Sequence, residues 1–197
     1  MVQPPNKQHL SGLLQSLSRQ SAKSQLEGLC HRQDAEIREL RLTEDYSQEH
    51  WIVAIVVSAK ALNICFRTHF SIAAATNLAV KGFGLSAENV TSEVAKDCIG
   101  EFCNLTAGSI RRTLQKAKVI EDVPGLSLPT VHKAEDYVAA PKHDVIDCWA
   151  MQILGSEVIC ASNLSIFDWE RVRHLEATKL ATMLVSDAGT ISFLPGS

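Results

Sequence analysis

The sequence has no long hydrophobic run. Its longest apolar stretch, Trp51 to Ser58, is far too short to cross a bilayer. Nor does it open with the apolar core of a signal peptide, since the first 25 residues are polar. Together these predict a soluble, cytoplasmic protein without a membrane span. A basic surplus is missing too: the net charge is −3 and the pI about 6.2, which argues against a general nucleic-acid binder. There is no CxxC pair, so the usual signature of a zinc or redox motif is lacking. Histidines such as His31, His50, His69, His132, His143 and His174 are scattered, and no His/Cys/carboxylate cluster has ligand spacing. Internal repeats and low-complexity segments are also absent.

What is present is ordinary globular material. A chain of 197 residues favours one domain with extensions over two full domains. Hydrophobic residues make up 46% and charged residues 21%, enough for a core of useful size. The six cysteines sit mostly in apolar runs such as Leu62-Asn63-Ile64-Cys65-Phe66. That placement predicts reduced thiols used as small core hydrophobes.

Along the chain, Leu10, Leu13, Leu14 and Leu17 share one face of an N-terminal helix. Ile37, Leu40 and Leu42 mark the entry to a first strand. Trp51 to Val57 is rich in β-branched residues and reads as a buried strand, paired through Ser58–Ala61 with a second strand, Leu62 to Phe66. Ser71 caps a short helix over Ile72–Val80, which Lys81-Gly82-Phe83-Gly84 breaks. Ser86 is the expected N-cap of the longest helix, Ala87 to Lys116, with Glu88 and Glu93 near its start. Arg111, Arg112, Lys116 and Lys118 near its end complement the helix dipole. Three strands follow, over Leu126–Val131, Val145–Leu154 and Glu157–Leu164, the last two joined by a short Gly155-Ser156 connection. Phe167 to Val185 is again helical. This order predicts an α+β fold, a mainly antiparallel sheet packed with two or more long helices.

The long helix holds the candidate chemistry. At about 100° per residue, Asp97, Glu101, Asn104 and Gly108 fall within about 60° of one another. Val94, Cys98, Phe102, Leu105, Ser109 and Thr113 follow a second sector roughly 130° away, so the polar stripe is expected to face outward. Spacing alone is also what a merely solvated helix face would show. Two features point further. Gly100 and Gly108 each cost about 1 kcal/mol relative to alanine inside a helix, and Asn104 is a poor helix former. Local preference is given up around one spot.

The run Asp97-Cys-Ile-Gly-Glu101-Phe-Cys-Asn104-Leu-Thr-Ala-Gly108 resembles the signature of the CheC/CheX/FliY chemotaxis phosphatases. That motif is an Asp or Ser, three residues, Glu, two residues, Asn, then a proline a little over twenty residues on. The glycine before Glu101, the Ala-Gly after Asn104 and the segment Leu126-Ser-Leu-Pro129-Thr-Val131 are similar to CheX in particular, as is the presence of a single motif copy. The resemblance spans residues 35–165. Pro129 lies later than the family spacing and Pro124 earlier, so the intervening loop departs from the pattern.

The resemblance implies a CheC-like or CheX-like domain over 35–165, with an N-terminal helical extension over 1–34 and a C-terminal helix and tail over 166–197. It implies an enzyme of two-component signalling that hydrolyses the aspartyl phosphate of a CheY-like response regulator. Asn104 would orient the attacking water, Glu101 would dock against the receiver's lysine, and Asp97 would support the face. Ala107 and Gly108, being small, would let the partner's backbone approach. Magnesium would come from the receiver, leaving this chain with no cofactor of its own. A homodimer is a further possibility under the resemblance. The alternatives are a non-catalytic module that binds a receiver or signalling partner, and a structural dimerisation domain.

Overall fold

The structure is a computed structural model that describes residues 7–40, 51–118, 122–136 and 145–173. It is α+β: helices packed on a seven-stranded, wholly antiparallel sheet. Helix α1 spans Lys7–Leu29, strand β1 Glu36–Glu39, β2 Trp51–Ser58 and β3 Leu62–Phe70. Then come α2, Ile72–Asn77, and the long α3, Ser92–Lys116. Strands β4, Gly125–Leu126, β5, Thr130–Lys133, β6, Val145–Ile153, and β7, Ser156–Ile166, precede the short α4, Trp169–Arg173. The strand order is β1-β6-β7-β3-β2-β4, with β5 also on β2.

Strand β3 shows how sequence becomes sheet. Leu62, Ile64, Phe66, Thr68 and Phe70 are buried, and the residues between them are half-buried, the period-2 pattern of a pleated strand. It runs to Phe70, beyond the expected end at Phe66, because Arg67 and His69 alternate with Thr68 and Phe70 and keep that period. Between β6 and β7, Leu154 and Gly155 both have positive φ, 53° and 76°, as a two-residue hairpin turn of primed type requires. Here glycine is the residue that takes the left-handed conformation without strain.

Three other expectations shift. The strand foreseen over Leu126–Val131 is two short strands, β4 and β5, both paired with β2, because Pro129 between them has no N–H to donate. The helix after Ser71, which accepts from the Ala74 N–H, does not stop at Lys81 but continues as a π-helical turn over Leu78–Gly82. Gly82 is buried there against Cys30; a Cβ at this position would lie 2.6 Å from the Cys30 Sγ. The long helix begins at Thr91, not Ser86. Residues Ala87–Asn89 form a 3-10 turn, Val90 is extended, and the Thr91 hydroxyl accepts from the Val94 N–H at 3.3 Å.

Helix α1 belongs to the core. Leu10, Leu14, Leu17 and Leu26 are buried in the same cluster as Phe66, Phe102 and Trp149, so the segment expected as an extension over 1–34 supplies core side chains. Arg19 of α1 makes a two-pronged bond to Asp147 of β6, at 2.7 and 2.6 Å, and a third bond to Glu39 at 2.5 Å. These carboxylates raise the pKa of Arg19 above its ordinary value, Asp147 contributing most. At the centre, the Phe66 ring meets Phe102 of α3 edge-on at 6.1 Å and Trp149 at 6.3 Å. The C-terminal helix expected to reach Val185 is described as α4 only to Arg173, and Leu42, like the remainder of that helix, lies outside the described residues.

Candidate functional site

Helix α3 lies against β2 and β3, with α1 on one side and α2 also in contact. Its buried residues are Ala95, Lys96, Ile99, Phe102, Cys103, Thr106, Ala107, Ile110 and Leu114. By helical geometry they centre roughly opposite Asp97, Glu101, Asn104 and Gly108. The expected apolar sector is therefore corrected. Of its members only Phe102 is core, whereas Val94, Cys98, Leu105, Ser109 and Thr113 are half-buried flank residues. Phe102 and Cys103 meet Phe66 and Thr68 of the sheet, and Ile99 and Ile110 are buried in the same core cluster as Phe66.

Two contacts fix the helix on the sheet. Lys96 is buried, with its ammonium 3.7 Å from the centroid of the Trp51 ring and 2.8 Å from Glu93 Oε1. Further along, the Cys103 thiol donates to Thr68 Oγ1 at 3.2 Å, and Thr68 Oγ1 lies 3.8 Å from Cys160 Sγ. Burial pushes the Cys103 thiol up to about 12 and raises Cys160 well above the ordinary thiol value. Both stay protonated at neutral pH and act as packing groups. All six cysteines are free thiols. Lys96 is the positioning residue that sequence reading missed; its signal was a lysine in phase with Ala95 and Ile99 on the apolar side of the helix.

The outward stripe holds together. Asp97 and Glu101 are exposed and Asn104 and Gly108 half-buried. The Asn104 amide donates to Glu101 Oε2 at 3.4 Å, a long bond that leaves the second amide proton and the carbonyl oxygen of Asn104 able to meet another molecule. Gly100 faces open space, and a Cβ at Gly108 would meet only the mobile end of Arg112, at 3.4 Å. Neither glycine is required by the packing of this chain. Ala107 departs from expectation: it is fully buried and cannot touch a partner. The difference from Gly108 is a single step of about 100°, enough to carry a side chain from the stripe toward the core. Cys98, beside Asp97, has its pKa raised, first by burial and then by the neighbouring carboxylate.

Pro129 and Pro124 both lie on the segment that carries β4 and β5, and these two strands touch α3. The stripe is convex, a geometry suited to a protein surface; small molecules take concave sites. One open concavity of about 520 Å³ is lined by His69, Ser71, Asn77, Lys81 and Ser156 and contains no stripe residue. Among the described residues no group of three or more His, Cys, Asp or Glu side chains could hold a metal ion, and no helix is long and apolar enough to cross a membrane.

No family model and no curated relative matches the chain. Its likeness is to solved structures. The chemotaxis protein CheX of Vibrio vulnificus is 14% identical with a TM-score of 0.60, covering 76% of this chain and 97% of that one. The CheX–CheY complex of Borrelia burgdorferi, with beryllium fluoride and magnesium, contains a chain that is 15% identical with a TM-score of 0.59, covering 76% of this chain and 96% of that one. FliY of Thermotoga maritima is 18% identical with a TM-score of 0.54, covering 95% and 100%.

Proposed function

We propose that this chain, built on the fold that CheX, CheC-like proteins and FliY share, is a phosphatase of phosphorylated response regulators. The observation that carries the reading is the pairing of Asn104 with Glu101 on the outward stripe of α3, at 3.4 Å. The comparison with a CheX–CheY complex supports a CheY-like partner.

In this reading the stripe docks on a receiver domain bearing an aspartyl phosphate. Asn104 enters the receiver's site, where its carbonyl oxygen accepts from a water and its amide donates to a phosphoryl oxygen. The water is held in line with the scissile P–O bond without a proton passing to the protein. The P–O bond to the aspartyl carboxylate breaks, the water oxygen bonds to phosphorus, and the receiver's carboxylate leaves. Glu101 forms a charge-assisted pair with the receiver's lysine, and Asp97 supports that contact. Magnesium belongs to the receiver and neutralises charge on the phosphoryl group. A reaction that asks mainly for positioning and charge stabilisation can be completed by two side chains from the partner. The reading implies a cytoplasmic protein, since receivers work there.

The test is a set of CheY-like receivers phosphorylated with acetyl phosphate and followed for loss of phosphate. Wild-type protein shortens the lifetime of at least one. Asn104→Ala loses about a hundredfold or more of that acceleration, in the range removed with a key positioning group, while still binding the receiver. Binding without any change in lifetime by the wild type would identify a non-catalytic module instead.

A further inference from the structure

Arg112 continues the stripe of α3. It follows Gly108 by four residues, as Gly108 follows Asn104, and by helical geometry it stands about 60° from Asp97. Its side chain runs back toward the start of the helix: Nη1 lies 3.4 Å from the position that a Cβ on Gly108 would take. The glycine thus leaves a trough in which the guanidinium rests, about one turn from Asn104. The side chain is exposed, and among the described residues no hydrogen bond or ion pair holds it. The helix offers it no anion, since its neighbours three and four residues away are Gly108, Ser109, Gln115 and Lys116. Nor does the helix dipole account for the placement. That effect fades beyond the last turn, and a guanidinium over Gly108 lies about two turns before the end at Lys116.

We propose that Arg112 is a specificity-determining contact of the same stripe, meeting an anionic oxygen at the receiver's phosphorylated site while Glu101 meets the receiver's lysine. The inference rests on the phosphatase reading above. The stripe is bipolar. Asp97 and Glu101 stand at one end, the Asn104 amide in the middle, and the guanidinium at the other end, about 10 Å along the axis from Glu101. A receiver's site carries both signs as well. Its lysine is a cation, whereas the phosphoryl oxygens and the carboxylates that hold magnesium are anions. The acids and the arginine therefore serve opposite sides of one site. Set out in this order, they fix the direction in which the receiver lies along α3, because a reversed receiver would bring like charges together. The reading also gives Gly108 a use that packing does not: a bulky side chain there would lift the guanidinium off the stripe.

Arg112→Glu and Arg112→Lys are the variants to make, since so exposed a side chain contributes little to folding. Dephosphorylation is measured against increasing concentration of the receiver that the wild type acts on, phosphorylated with acetyl phosphate. Binding is measured in parallel with the same receiver trapped by beryllium fluoride and magnesium, and with magnesium alone. Arg112→Glu is expected to raise KM and the Kd for the trapped receiver by about ten- to a hundredfold, with kcat little changed. Arg112→Lys keeps most of the affinity, and the difference between Arg112→Glu and the wild type shrinks as salt is added. Asn104→Ala shows the reverse split between KM and kcat. A loss confined to the trapped receiver assigns the contact to the phosphoryl oxygens; an equal loss with magnesium alone assigns it to the receiver's carboxylates. Wild-type KM and Kd for Arg112→Glu, or a fall in kcat at unchanged Kd, overturn the contact and leave the phosphatase reading standing. Should the wild type bind the trapped receiver but hydrolyse none, the phosphatase reading falls, and a weakened Kd for Arg112→Glu still upholds the contact. No binding at all removes both.

Discussion

Gly100 is the residue whose chemistry departs furthest from what its helix wants. It sits inside α3 with nothing near its missing Cβ. A glycine forced by packing would show a neighbour pressed against that position, as Gly82 does against Cys30. Gly100→Ala is therefore expected to stabilise the protein by about 0.5–1 kcal/mol, read as a shift in denaturant midpoint at constant slope. A destabilised variant would mean that the helix needs the glycine for its own geometry. Asn104 and Glu101 were legible at this scale, because their bond spans three residues of one helix. Ala107 was not, since its neighbour Gly108 is half-buried on the stripe while Ala107 faces the core.

At the scale of the element, α3 is positioned by its first turn and by the clamp of Lys96 on Trp51. The capping hydroxyl is that of Thr91, and the side chain of Ser86 caps nothing in the 3-10 turn. Thr91→Ala is expected to cost about 1 kcal/mol in chemical denaturation, whereas Ser86→Ala stays within about 0.5 kcal/mol of the parent. Equal effects at the two positions would return the helix start to Ser86. Both residues head sequences of the kind that start helices, so local pattern could not choose between them. Extended Val90 decides it. The same limit applied to β4 and β5: a run of strand-forming residues around Pro129 reads as one strand, and the break follows from where β2 requires its hydrogen bonds.

For the whole molecule, the joint between α1 and the sheet is the contact that binds distant parts of the chain. Arg19 and Asp147 are far apart in sequence but form a two-pronged pair, with Asp147 only 5% exposed. Arg19→Met would leave that carboxylate buried without its cation. The expected cost is about 3 kcal/mol of unfolding free energy, measured by denaturant titration, because an unpaired buried charge is the expensive case. Asp147→Asn in the same background should recover part of the loss by removing the stranded charge. No recovery would show that the pair is not what docks α1.

The amino-acid sequence by itself determined the parts that depend on neighbours a few residues apart. These are the period of β3, the existence of a tight glycine-containing turn between β6 and β7 (expected at Gly155-Ser156 and found one residue earlier, at Leu154-Gly155), the existence of the long helix, and the common stripe of Asp97, Glu101, Asn104 and Gly108. Each follows from backbone geometry that repeats every two residues or every 3.6. The tertiary structure alone decided which side of α3 is core, because apolar residues stand on both flanks of that helix. Cys98 and Leu105 compete with Ile99, Cys103 and Ile110, and only the sheet beneath, with Phe66 and Thr68, breaks the tie. It also decided that Leu10, Leu14, Leu17 and Leu26 of α1 join the same core and that β4 and β5 lie against α3. Those relations hold between residues far apart in the chain, and burial of one shared apolar face is what brings them together.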